Sequence, residues 1–255
     1  MSVALTRVDE FAVLTIDRAE ALNALSFALI RELGGALDTV AASDARALIV
    51  TGAGPKAFCA GADIKELTGR PLMQTRAGTE LGQATFAKLD ALPMASIAVI
   101  NGFAFGGGLE LALACTFRLA LPAAKLGLPE IKLGLIPGYG GTQRLPRLIG
   151  EGRALELIMT GRTVESDEAL RIGLVNRLVE GDPIAAGIAF GREFTRYGLP
   201  ALRFARDAVA RALDLPLAEG LKIEADLSTL AYATDDAKEG MEAFMAKRKP
   251  RFKDG

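Results

Sequence analysis

Glu110 is a carboxylate set inside an apolar segment that begins with glycines. It sits in Asn101-Gly-Phe-Ala-Phe-Gly-Gly-Gly108-Leu-Glu-Leu-Ala-Leu-Ala-Cys115. Its neighbours Leu109, Leu111, Ala112 and Leu113 offer it no charge partner, and burying an unpaired charge is costly. Gly106, Gly107 and Gly108 at the mouth of a helix leave backbone N–H groups pointing outward and let a ligand come close. An N–H donor beside a desolvated carboxylate makes a reaction site. The same residues also read as a tight turn and a helix whose glutamate reaches water. The chain contains no histidine. That excludes Ser-His-Asp and Cys-His nucleophiles and the common His-based metal sites. Proton transfer is left to carboxylates, lysine, tyrosine or cysteine. A second glutamate, Glu130, follows Pro129 and interrupts an apolar run over 126–136.

The elements that must hold these groups read as α/β. Residues 3–8 and 11–16 are two strands around Asp9-Glu10, in a hairpin with alternating and β-branched residues. Ser26 caps a helix to about residue 42, with Leu29, Ile30, Leu33, Leu37 and Val40 on one face. Buried strands are expected at 45–50 and 97–100, and further strands at 117–120 and 125–128. Residues 57–67 read as a small-residue turn running into a polar segment. A helix carrying Leu81, Phe86, Leu89 and Leu92 stops at Pro93. Pro137-Gly-Tyr-Gly-Gly141 is a second glycine-rich turn that opens a helix ending at Gly150. Beyond about 151, helices are expected at 151–159, 166–172, 184–197, 201–212, 217–232 and 235–247, with one strand near 174–178. Alternating strand and helix over the first 190 residues predicts an α/β core. Periodicity alone leaves open, closed and spiral sheets equally available.

Composition narrows the function classes. The 255 residues make one large domain or a domain with an appendage. A net charge of −1 argues against a nucleic-acid partner. No basic, apolar, small-residue leader pattern opens the chain, and the longest apolar region is broken by Asn101, the glycines, Glu110 and Arg118. A buried core is expected there, with no membrane span. Cys59 and Cys115 build neither a disulfide framework nor a zinc site. They read as packing residues in a reducing, cytoplasmic setting. Gly52-Ala-Gly-Pro-Lys-Ala57 is similar to a dinucleotide fingerprint. However, Pro55 leads into Phe58-Cys59-Ala60-Gly61 and not into a helix of the right register, and no acidic strand end follows. No glycine-lysine dipeptide exists to form a phosphate loop.

Three segments together resemble the enoyl-CoA hydratase/isomerase (crotonase) family. They are Gly102-Phe-Ala-Phe-Gly-Gly-Gly-Leu-Glu110-Leu-Ala112, Ala57-Phe-Cys-Ala-Gly-Ala-Asp-Ile-Lys-Glu66, and the run from Leu128-Pro-Glu130 through Pro137-Gly-Tyr-Gly-Gly-Thr-Gln-Arg-Leu145. The ending Lys238-Glu-Gly-Met-Glu-Ala-Phe-Met-Ala-Lys-Arg-Lys249 is similar too. The likeness spans essentially the whole chain. It implies a crotonase-like α/β spiral of ββα units over 1–195 and a helical C-terminal oligomerisation region over 196–255, giving trimers or dimers of trimers. It further implies an acyl-CoA thioester whose oxygen sits between the N–H groups of Ala62 and Gly107. Two glutamates, Glu110 and Glu130, would hold the attacking water. CoA contacts would come from Ala62-Asp63-Ile64-Lys65 and from Phe244 and Lys247, often of a neighbouring subunit. No cofactor and no metal is expected, since CoA is part of the substrate.

The chemistry implied is hydration of a trans-2-enoyl-CoA. Glu110 lies among leucines and alanines, and Glu130 among Leu128, Pro129 and Ile131. Such settings keep one carboxyl of a pair protonated at neutral pH. Glu130 is expected to give the proton to C2 and Glu110 to act as base for water. The nearest rival is a delta3-delta2 enoyl-CoA isomerase, which needs a single shuttling base. An RNA-binding member of the same scaffold is a rival from a different class. Two departures from the family pattern stand out: Thr116 where many relatives carry aspartate, and Ala19-Glu20 where many carry Pro-Lys. They blur the subfamily and leave the glutamate pair untouched.

Overall fold

The computed structural model describes residues 2–255. Strands β1 (Val3–Val8) and β2 (Phe11–Ile16) form the expected hairpin. Ser26 caps the helix Phe27–Ala41 by accepting a hydrogen bond from Leu29 N at 3.1 Å. After it the chain winds through repeated pairs of strands. β3 (Ala47–Gly52) leads to β4 (Ala57–Cys59), β5 (Ala95–Ile100) to β6 (Phe103–Phe105), and β7 (Phe117–Ala120) to β8 (Lys125–Gly127). The first strand of each pair enters one sheet and the second enters another. Two short strands, β9 (Val164–Glu165) and β10 (Arg177–Leu178), complete the sheets.

The larger sheet has the order β1-β2-β3-β5-β7-β10, parallel from β2 onward. The smaller has the order β4-β6-β8-β9, with β9 antiparallel. This is the spiral of ββα turns, and three of its strands are only three residues long. The inner strands β2, β3 and β5 are covered on both faces, which explains their largely apolar sequences, while the edge strand β1 is mostly exposed. Phe11, Val13, Ile49, Ile97 and Val99 face Ile184, Ile188 and Phe194 of the helix Pro183–Thr195. The alternate residues Leu14, Ile16, Leu48, Val50 and Ile100 join the main core.

Asn23, Asn101, Arg118 and Thr116 are polar groups inside the spiral that find partners. Asn23 donates to Ala53 O and Ala57 O, and Asn101 donates to Gly52 O and Gly54 O. They pin the 52–57 connection, the segment similar to a dinucleotide fingerprint, as a turn between β3 and β4. Arg118, which breaks the apolar region in sequence, is buried and donates to Leu174 O and Cys115 O. Thr116 N donates to Ser96 Oγ while Ser96 N donates to Thr116 Oγ1.

The remainder is helical and ends in Leu199–Arg211, Leu217–Tyr232 and Asp235–Met245. The first two of these bury no residue, and Val209, Leu217, Tyr232 and Phe244 stand exposed. Among the described residues no helix is long and apolar enough to cross a membrane.

Candidate active site

Three segments meet because β4, β6 and β8 are parallel neighbours whose chains all leave at the same end. Ala62 lies three residues beyond Cys59, Gly107 two beyond Phe105, and Glu130 three beyond Gly127. Distant stretches of sequence thus arrive at one end of a small sheet. A Cβ placed on Gly61 would lie 3.8 Å from Gly107 N, so the first two turns run side by side.

Each turn presents an N–H. Leu25 pairs in parallel with Ala62 by donating to Gly61 O at 2.8 Å and accepting from Asp63 N at 2.9 Å. Both bonds use the residues flanking Ala62, so its own N–H points away from Leu25. Gly107 opens the helix Gly107–Ala114, whose first N–H groups have no carbonyl below them. Among the described residues neither Ala62 N nor Gly107 N donates a backbone hydrogen bond. The helix N-terminus adds positive potential at the same place.

All eight residues of that helix are buried, Glu110 included. Glu110 has partners that its sequence neighbours do not provide. Tyr139 N donates to Glu110 Oε1 at 2.7 Å and Gly141 N donates to the same oxygen at 2.8 Å. The second glycine-rich turn therefore straps the carboxylate. Burial pushes the Glu110 carboxyl up to about 7, and the Glu130 charge pushes the same way. The Gly141 and Tyr139 N–H groups and the Arg144 charge oppose the rise without cancelling it.

Glu130 opens the 3-10 turn Glu130–Leu133 and is half-buried. Burial raises its proton affinity as well. Its Oε2 is buried without a hydrogen-bond partner among the described residues. A carboxyl oxygen left so is costly unless something else meets it. Gly106, at φ 51° and ψ −126°, lets this carboxyl lie against the backbone.

The other expected residues fall into two groups. Asp63 is committed within the chain: Oδ2 accepts from Arg18 Nη1 at 2.9 Å and Oδ1 from Lys65 N at 3.2 Å, capping the helix Ile64–Leu67. Ile64 and Lys65 are exposed at the rim of that turn. Phe244 and Lys247 lie at the end of the last helix, with Phe244 86% exposed. Sequence reasoning did not find Gly106 as the seat of Glu130, nor the Tyr139 and Gly141 N–H groups as partners of Glu110. The available signal was the pair of glycines flanking Tyr139. Tyr139 itself is buried, its ring edge-on to Phe86 at 5.6 Å. A separate apolar cavity of about 500 Å³, lined by Met94, Leu113, Phe194 and Leu202, is not lined by either glutamate.

A profile of the family "enoyl-CoA hydratase/isomerase" matches residues 7–255. A probable enoyl-CoA hydratase of Rhizobium meliloti is 46% identical over 242 residues, covering 94% of this chain and 93% of that one. A crotonyl-CoA hydratase of Syntrophomonas wolfei is 42% identical over 254 residues, covering 98% and 97%. The crystal structure of an enoyl-CoA hydratase from Bacillus anthracis superposes with a TM-score of 0.95 at 40% identity, covering 100% of both chains.

Proposed function

Because the chain belongs to the enoyl-CoA hydratase/isomerase family, we propose that it hydrates a trans-2-enoyl-CoA to the 3-hydroxyacyl-CoA. The observation that carries this reading is the convergence of two carboxyls, each with raised proton affinity, beside two unpaired backbone N–H groups. An isomerase needs one proton shuttle, whereas hydration uses an acid and a base together. The name of the Syntrophomonas wolfei relative, a crotonyl-CoA hydratase, agrees with this.

The thioester oxygen accepts from Ala62 N and Gly107 N. As water adds, negative charge moves onto that oxygen, and fixed donors stabilise it more than they stabilise the ground state. Losing one such donor in other enzymes costs about 3 kcal/mol. Ionised Glu110 takes a proton from the water whose oxygen bonds to C3. Its Oε1 already accepts two N–H groups, so Oε2 is the oxygen that meets water. Protonated Glu130 gives its proton to C2. Like charges in a desolvated pocket disfavour double ionisation, so the pair shares one proton before each turnover. The two N–H groups on Glu110 Oε1 favour the reactive form, in which Glu130 carries it. Turnover leaves that proton on Glu110, and its return to Glu130 resets the site.

The CoA moiety runs over the 62–65 turn through backbone contacts and the Lys65 ammonium. Phe244 and Lys247 reach it from a neighbouring subunit. A trimer or dimer of trimers is supported by the uncovered apolar side chains of the C-terminal helices, since patches of this kind mark interaction surfaces. Incubation with crotonyl-CoA tests the reaction. Loss of the conjugated thioester absorbance, with 3-hydroxybutyryl-CoA as product, is expected. An enzyme that leaves crotonyl-CoA untouched and shifts a 3-enoyl-CoA to the 2-enoyl isomer is an isomerase.

A further inference from the structure

The strap that holds Glu110 is itself held from behind. Its inner side offers Tyr139 N and Gly141 N to Glu110 Oε1. Its outer side offers carbonyls. Gly138 O accepts from Gln83 Nε2 at 2.8 Å, and Tyr139 O accepts from Arg144 Nη1 at 3.4 Å. Arg144 Nη2 donates to Asp90 Oδ2 at 2.6 Å. Gln83 and Asp90 both belong to the helix Leu72–Ala91, so both fastenings tie the strap to that one helix. The helix is a firm anchor, because Phe86 and Leu89 are buried in the core.

Gly140 makes the arrangement possible. Its φ of 118° lies where side chains are rarely tolerated. A Cβ there would run into Arg144 Nη1, so the guanidinium occupies the space that the glycine leaves. Gln83, Asp90, Gly140 and Arg144 also line a cleft of about 900 Å³ rich in charged residues, which Glu110 and Glu130 do not line. They therefore act from a side of the strap that neither glutamate lines.

We propose that Arg144 and Gln83 are positioning residues, which fix the strap so that its two N–H groups meet Glu110 and aim that carboxylate at the water. The inference rests on the hydratase reading above. Without the fastenings the strap peptides are free to rotate. One or both N–H groups then leave Oε1, and the carboxylate swings from its place over C3. Substrate contacts of the thioester and CoA stay as they were, so the loss falls on kcat.

The test uses the full-length enzyme and crotonyl-CoA. Arg144→Met is expected to lower kcat by about ten- to a hundredfold with KM within about twofold, the range set by small misplacements of catalytic groups. Gln83→Ala is expected to shift kcat in the same sense by less, and Arg144→Lys to recover part of the loss. The same Arg144→Met change is then made in Glu110→Gln. There it is expected to have no further effect, because the group it positions is already disabled. An equal fold-loss in both backgrounds, or an Arg144→Met enzyme with wild-type kcat, overturns the inference while leaving the hydratase reading intact. A wild-type enzyme inert toward crotonyl-CoA and other 2-enoyl-CoAs overturns both.

Discussion

The carboxyl of Glu130 rests on the backbone of Gly106: a Cβ added at residue 106 would come within 2.9 Å of Glu130 Oε1. The same glycine precedes the helix that carries Gly107 and Glu110. One residue thus sets the spacing between both glutamates and one N–H donor. Gly106→Ala forces a side chain into a strained φ, ψ region, at a cost of about 1–3 kcal/mol in stability. It also displaces Glu130. The expected result is a folded enzyme with a lower Tm and kcat reduced at least as far as in Glu130→Gln. An alanine variant with unchanged kcat would show that Glu130 works from another position.

Removing either acid group tests the pair directly. Glu110→Gln and Glu130→Gln keep size and shape, and the amide oxygen at 110 still accepts from Tyr139 and Gly141. Each variant is expected to lose about 10²- to 10⁴-fold in kcat, the usual worth of general acid–base catalysis. KM should move little. Near-wild-type turnover in either one excludes the shared-water mechanism.

The raised proton affinity of Glu110 has a consequence for stability. Its carboxyl moves from 4.5 to about 7 in the folded protein, first because it is buried and also because Glu130 is near. The folded state therefore binds this proton more tightly than the unfolded chain. The associated stabilisation is complete below about pH 4.5 and is lost as pH rises through about 7. The full difference is worth about 3 kcal/mol. Denaturant melts of wild type and Glu110→Gln across pH 4 to 9, a range spanning roughly both values, should diverge, with wild type losing ground on the alkaline side. Parallel curves would mean that Glu110 titrates as an ordinary surface glutamate.

The sequence was most legible where one strand could be read by itself. The strands at 3–8, 11–16 and 117–120 have the bounds expected of them. The apolar residues of 11–16 and 117–120 suffice because those strands are buried, whereas 3–8, an exposed edge strand, is legible through its pairing across the Asp9-Glu10 turn. β4 and β9 escaped notice, and so did β6, which the glycines after Phe105 disguise as loop. Two or three residues cannot display a period of two, and these strands exist because turns far apart in sequence stack on one another. The same non-locality hid the partners of Glu110. Its immediate neighbours are apolar, and its two donors lie about thirty residues downstream in a turn that only the spiral brings back. The glutamates and glycine turns could be singled out in advance because carboxylates and glycine clusters are conspicuous inside apolar runs.

Asp63 separates a scaffold role from a substrate role. Its carboxylate pairs with Arg18 and caps the helix Ile64–Leu67, with 16% of the side chain exposed. Asp63→Ala should cost about 1–2 kcal/mol, the combined worth of a cap and a partly buried charge-assisted bond. The Tm should fall, and so should the Tm of Arg18→Ala, while the double variant loses less than the sum. A rise in KM for CoA esters with no change in Tm would instead assign the carboxylate to the substrate.

Lys247 tests whether a second subunit completes the site. It sits just past the last helix with φ 52°, exposed, and its N–H donates to the carbonyl of Phe244, whose ring is exposed as well. An ammonium placed to meet a CoA phosphate strengthens binding by charge and does not enter the chemistry. Lys247→Ala should therefore raise KM for crotonyl-CoA by about tenfold, the equivalent of about 1.4 kcal/mol, and leave kcat nearly unchanged. The crotonyl ester of pantetheine lacks those phosphates and should show no such penalty. Added salt should narrow the gap between wild type and variant on the CoA ester, since the contact is electrostatic and solvent-exposed. Mixing Lys247→Ala with Glu110→Gln subunits then decides between arms of one chain and of two. If the arm crosses subunits, mixed oligomers contain sites that pair an intact Glu110 with a neighbour's intact Lys247. Such oligomers should turn over crotonyl-CoA at a fraction of their sites with wild-type kcat and KM. A mixture that behaves as the plain sum of its parts places Lys247 over the site of its own chain.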